Sequence, residues 1–114
     1  MMLPETGHLL RIFIGESDRW KGRPLYEAIV GLVREEGLAG ATVLRGLEGF
    51  GASSRIHTAR ILRLAEDLPM VVEIVDREER IRRILPALTE MVGDGLVTLE
   101  KVQVVVNETR PRTS

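Results

Sequence analysis

Residues 9–14, Leu-Leu-Arg-Ile-Phe-Ile, constrain the fold more than any other stretch of the chain. They read as a strand in which Leu10, Ile12 and Ile14 share one face, and Leu9, Arg11 and Phe13 share the other. Both faces are largely apolar, so both need covering. Helices from the same chain can cover one. The other needs a further layer.

The rest of the chain supplies two helices and three more strands. Pro24 suits the first turn of a helix, where its missing N–H costs nothing. Leu25, Ala28, Ile29, Leu32 and Val33 then recur at spacings of three and four, and Gly37 offers a left-handed stop. A second strand is expected at about 41–47 and a third over 69–75, with Pro69 at a first or edge position. Asp76 and Glu79 have capping-box spacing and predict the start of a second helix. Its stripe is Ile81, Ile84, Leu85, Leu88 and Met91, and Pro86 predicts a kink near residue 82 or 83. Gly93-Asp94-Gly95 closes that helix. Val97 to Val106 forms the last strand, where a phase slip at Glu100-Lys101 predicts a bulge. Residues 107–114 form a polar tail expected to fray.

The order is βαββαβ. Right-handed crossovers fold it into a ferredoxin-like α+β sandwich, a four-stranded antiparallel sheet with both helices on one face. The 114 residues make one domain with its core at about 8–106. Leu9, Phe13, Val71 and Val75 line the other sheet face, and no third layer remains in the sequence to cover them. An apolar face of that kind marks an interface, so the chain is expected to be an oligomer.

Composition removes several function classes. The net charge of −1 supplies no global field for nucleic acid or an anionic membrane. There are no cysteines, which excludes disulfides, thiol catalysis and Cys-ligated zinc. No apolar run approaches the roughly 20 residues of a membrane span, and residues 1–8 lack a signal peptide's apolar core. A cytoplasmic protein without membrane insertion is the expectation. No nucleophile–base–orienter set and no Walker lysine occurs, so the chain does not read as an enzyme.

The connection from about 47 to 67 stands out, because a loop of about twenty residues between two strands is functional or disordered far more often than not. It contains Gly49-Phe50-Gly51, Arg55, His57, Arg60 and Arg63, with no acid from Gly49 to Ala65. Glycines let backbone N–H groups approach phosphate, and successive N–H groups form an anion-binding nest. Gly93-Asp94-Gly95 is the second such segment, and Arg45 precedes the loop. By themselves, Gly49-Phe50-Gly51 is a turn signal and Gly93-Asp94-Gly95 a helix stop. His57 is read as a solvated side chain first and a phosphate contact second. Glu16 and Asp18 form a carboxylate pair with no evident basic partner. His8 has no evident partner either, and Trp20 reads as a core or interface anchor.

Four segments taken together carry a resemblance. They are Gly15-Glu16 with Gly22-Arg23-Pro24-Leu25-Tyr26-Glu27-Ala28; Gly40-Ala41-Thr42-Val43-Leu44-Arg45-Gly46; Gly49-Phe50-Gly51; and Asp67-Leu68-Pro69. Over residues 8–106 the chain resembles a PII-like family of bacterial and archaeal proteins known as a domain of unknown function. It is more distantly similar to the nitrogen regulatory PII proteins.

The PII resemblance implies a homotrimer with its sheets packed about a threefold axis. In PII proteins the Gly-Phe-Gly segment is the base of the T-loop and the Gly-Asp-Gly segment belongs to the B-loop of the adjacent subunit. Adenine nucleotide lies between them. Carried over, that implies a ligand site of Arg45, Gly49, Phe50, Gly51, Arg55, His57, Gly93, Asp94 and Gly95. AMP, ADP or ATP would be a regulatory ligand, with no other cofactor and no resident metal. The loop would act on a partner protein, with a membrane transporter or channel as the family's usual kind. PII proteins place a basic residue after each motif, where this chain has Ala52 and Leu96. Their last-strand arginines fall at Val104–Val106. These departures favour a mono- or diphosphate over a triphosphate. The trimeric CutA proteins share the fold and are associated with divalent metals, which makes a metal- or anion-binding trimer the alternative. A trimer with empty clefts is the third possibility.

Overall fold

The structure, a computed structural model, describes residues 6–49 and 68–106. The elements are β1 (Thr6–Gly15), β2 (Arg19–Trp20), β3 (Arg23–Pro24), α1 (Leu25–Glu35), β4 (Thr42–Arg45), β5 (Pro69–Asp76), α2 (Glu78–Val92) and β6 (Leu96–Gln103). Four strands form one antiparallel sheet in the order β4-β5-β1-β6, and β2 and β3 make a separate small hairpin. The ferredoxin-like α+β sandwich expected from the element order is the fold observed.

The core lies between one sheet face and both helices. Leu10, Ile12, Ile14, Met70, Val72 and Ile74 come from the sheet; Leu25, Ile29 and Val33 from α1; and Ile81, Ile84, Leu88 and Val92 from α2. Both helical stripes face the core as their spacing predicts, with Leu32, Leu85 and Met91 only partly buried at its margin. Gly37 takes φ +76° after α1, the left-handed geometry that glycine adopts without steric cost. Pro24 precedes the helix rather than starting it, and Leu25 N–H donates to the Asp18 carbonyl at 2.8 Å. The hairpin turns through Lys21 and Gly22, both at positive φ, and the Lys21 ammonium lies 5.2 Å from the Trp20 ring centroid. Trp20 itself packs against the core, as expected of an anchor.

Four local expectations need correction. Asp76 makes no capping box, because it belongs to β5 and is fully buried. Its Oδ2 accepts from Ala39 N–H at 2.8 Å and its Oδ1 from Arg77 N–H at 2.7 Å, while Arg77 occupies the cap position of α2 without a side-chain cap. The last strand has no bulge between Leu96 and Gln103, since its register with β1 is unbroken. The apparent slip arises because Lys101 sits opposite His8 on the helix side, whereas Val102 sits opposite Gly7 on the other face. That strand ends at Gln103, where its partner β1 begins at Thr6, rather than at Val106. The second strand is confined to Thr42–Arg45.

Pro69 begins an interior strand, the permitted position for a residue that cannot donate to the ladder. Helix α2 continues through Pro86, which lies on its exposed side where water can satisfy the freed carbonyl. His8 does have a partner: its Nε2 lies 3.7 Å from Glu78 Oε1.

The register places Leu9, Phe13, Val71 and Val75 together on the sheet face away from the helices, with Leu44, Leu96 and Val102 around them. Phe13 is 36% exposed, a high value for a residue in a central strand. Arg11 stands in the middle of this face. Its Nε donates to Glu73 Oε2 at 2.9 Å, and its Nη1 lies 3.8 Å from Glu100 Oε1. Its hydrogen bond to Glu73, helped by the charges of Glu73 and Glu100, raises the Arg11 pKa above its ordinary value.

Candidate functional site

At one end of the sheet β1 and β4 finish while β5 and β6 begin, as the pairs Gly15↔Pro69, Arg45↔Met70 and Phe13↔Leu96 show. Arg45 and Gly49, two of the ligand residues suggested by sequence, lie there on the β4 edge. Gly46 N–H donates to the Pro69 carbonyl at 2.7 Å, and Glu16 N–H donates to the Leu68 carbonyl at 2.8 Å. These bonds close the neck of the 47–67 connection. The glycines allow the close approach. A Cβ at Gly46 would fall 2.9 Å from Pro69 Cγ, and one at Gly49 would fall 3.4 Å from the same atom.

Arg45 projects at this neck, and its Nη2 lies 3.5 Å from Glu16 Oε2. The basic partner of Glu16 leaves no local pattern in the sequence, because it lies 29 positions away on another strand. Glu16 and Asp18 have separate duties, for Asp18 Oδ2 accepts from Gly15 N–H at 2.9 Å in the turn after β1. The other oxygen of Glu16, Oε1, is buried with no hydrogen-bond partner. Buried polar atoms are nearly always paired, so each exception calls for an explanation.

Gly93, Asp94 and Gly95 lie at the same end of the sheet but before β6, on the opposite edge. Gly93 ends α2 at φ +63°. A Cβ at Gly95 would fall 2.7 Å from the Phe13 carbonyl oxygen and 2.7 Å from Val92 Cγ1. Helix termination and close packing therefore account for both glycines within one chain. Three inter-strand steps separate β4 from β6, about 14 Å at the usual spacing. Arg45 and Gly49 are thus brought together with Glu16, and Gly93–Gly95 stand apart from them in the same chain. Phe50, Gly51, Arg55 and His57 lie outside the described residues. Among the described residues there is no group of three or more His, Asp or Glu arranged to hold a metal. No helix among them is long and apolar enough to cross a membrane.

The chain belongs to the DUF190 family, described as uncharacterized ACR, whose model matches residues 7–104. It is 42% identical over 99 residues to a UPF0166 protein of Aquifex aeolicus, covering 85% of this chain and 91% of that one. A UPF0166 protein of Methanocaldococcus jannaschii is 36% identical over 102 residues, with 89% and 94% covered. Among solved structures the fold is similar to CPII of Thiomonas intermedia K12, a nitrogen regulatory PII-like protein. In complex with ADP, AMP and bicarbonate it aligns with TM-score 0.65 at 20% identity, covering 87% of this chain and 88% of that chain. Its apo form aligns with TM-score 0.57 at 19% identity, covering 87% and 91%. The family is thus distantly PII-like in fold.

Proposed function

We propose that this DUF190 member is a cytoplasmic PII-like regulatory protein. It binds a small phosphorylated ligand, an adenine mono- or diphosphate in the first instance, between copies of the chain. Ligand binding changes the surface that the 47–67 segment offers to a partner protein, a membrane transporter or channel by family resemblance. The mechanism requires only that the ligand bind one arrangement of the segment better than another.

One observation supports this reading: Arg45 and Gly49 lie at the same end of the sheet as Gly93–Gly95, on the opposite edge. Three inter-strand steps, about 14 Å, separate them within one chain, and in our reading copies apposed edge to edge bring Gly49 and Arg45 of one beside Gly93–Gly95 of the next. The open apolar sheet face gives such copies a reason to associate. Three copies about an axis is the arrangement we favour. The ADP and AMP held by Thiomonas CPII lend support from a protein of the same fold. The local charge is also in keeping, because Arg45 is partly neutralised by Glu16 and Leu96 adds none.

Thermal denaturation with AMP, ADP, ATP, Mg²⁺, Mn²⁺, Cu²⁺ and Zn²⁺ tests it. A ligand at 100 times its dissociation constant stabilises a site by about 2.7 kcal/mol. A rise selective for adenine nucleotides is the expected result. A rise with metals alone would turn the reading toward the metal-binding alternative, and no rise with any of them would refute it.

A further inference from the structure

We infer that Glu16 is the residue that sets the charge selectivity of the anion site at the neck, by competing with the ligand for Arg45. This rests on the reading above, in which Arg45 meets a phosphate.

The geometry is that of a displaceable internal ligand. Arg45 is a cation at the neck among the described residues, and its side chain is 56% exposed, so an anion can reach it from solvent. The Glu16 carboxylate already holds it, at 3.5 Å, a distance longer than a close charge-assisted hydrogen bond. Glu16 also holds it at a cost, since Oε1 is removed from water without a donor in exchange. A contact that is long on one oxygen and unsatisfied on the other is one that a better anion displaces. The displaced carboxylate stays close, because Glu16 N–H remains bonded to the Leu68 carbonyl. Its negative charge then faces the incoming phosphate, and like charges repel in proportion to their product. The penalty therefore grows with ligand charge: least for a monophosphate, more for a diphosphate, most for a triphosphate. Glu16 accordingly sets both the affinity threshold and the preference among phosphates. It is a specificity-determining residue and need not touch the ligand.

The test is calorimetric titration of AMP, ADP, ATP and inorganic phosphate into the parent protein, Glu16→Gln, Glu16→Ala and Arg45→Ala at one fixed salt concentration. Both Glu16 variants should bind ADP about three- to tenfold more tightly than the parent, which is the effect of removing one competing charge. The gain should increase from AMP to ADP to ATP, and Arg45→Ala should weaken all of them. Agreement between Gln and Ala separates loss of charge from loss of folding at the neck. Unchanged or weaker binding in both Glu16 variants, or a gain equal for all three nucleotides, overturns the assignment and leaves nucleotide binding intact. Tighter binding of inorganic phosphate by the Glu16 variants, with no nucleotide bound by any protein, retains the assignment and overturns the nucleotide reading. No binding of any of the four probes overturns both.

Discussion

Removing the Asp76 carboxylate should cost this protein a substantial part of its stability. Asp76 is fully buried at the end of an interior strand. It accepts from Ala39 N–H at 2.8 Å and from Arg77 N–H at 2.7 Å. Arg80, which donates to the Gly37 carbonyl at 3.0 Å, stands 3.9 Å from the same carboxylate. The group therefore ties the turn between α1 and β4 to the start of α2. In Asp76→Ala, the Ala39 amide loses a hydrogen bond to a charged acceptor, a loss of about 1.5–3 kcal/mol. The Arg77 amide and the partly buried Arg80 lose their anion as well, so the total should be about 3–4 kcal/mol, near the range for breaking a buried charged contact. Asp76→Asn keeps one acceptor oxygen and should lose about half as much. Against a total stability of about 5–15 kcal/mol this is a large fraction. It corresponds to a melting temperature lower by about 12–20 °C. Urea unfolding at one fixed protein concentration measures it, because the proposed assembly would make apparent stability depend on concentration. Hydrogen exchange at Ala39 gives the local readout. A change below about 1 kcal/mol in Asp76→Ala, with Ala39 still protected, would refute the reasoning.

Two further outcomes follow from the geometry. Phe13→Asp places an unpaired charge on the open sheet face and should dissociate the proposed oligomer; light scattering should fall from a multiple of the 12.7 kDa chain mass to that mass, and an assembly of unchanged size would exclude this face as the interface. The Glu78 carboxyl is held below its ordinary pKa, first by the hydrogen bond from Arg82, then by the charges of Arg82, His8 and Lys101 against a smaller desolvation effect. A lowered folded-state pKa means that ionised Glu78 stabilises the fold above its unfolded value near 4.5, and that this contribution is lost as pH falls through the folded value. Arg82→Ala should move the Glu78 titration, followed by NMR, up toward the ordinary value. A titration that stays put would show that Arg82 is not the cause.

Most of the architecture was legible because it follows from periodicity. Leu10, Ile12 and Ile14 alternate as a strand must, and Ile81, Ile84 and Leu88 recur as a helix must. The errors lay where one residue type serves two purposes. Asp76 before a helix with Glu79 three positions on has the form of a cap, and only the pairing of β5 shows its carboxylate turned to Ala39. The phase slip at Glu100-Lys101 has the form of a bulge, because the sequence does not reveal that Val102 lies on the open face of an unbroken strand. In the candidate site, the glycine motifs and Arg45 stand out by residue type, whereas Glu16 does not. Its significance depends on a contact between the loop after β1 and the end of β4, and on an oxygen that finds no donor. Neither leaves a local pattern. A buried carboxylate oxygen without a partner is a property of packing alone.

The charges at the centre of the open face carry a consequence for fidelity. Leu9, Phe13, Val71 and Val75 would accept almost any apolar cover, and a cell contains many. Arg11, held between Glu73 and Glu100, would not. Two carboxylates against one guanidinium leave an excess negative charge on this face. A cover that shuts out water must answer that charge with donors of its own or leave it stranded. Apolar residues make the face adhesive, and the ionic centre makes it discriminating. An incorrect neighbour, even one of the same fold, is refused by the charge it fails to match.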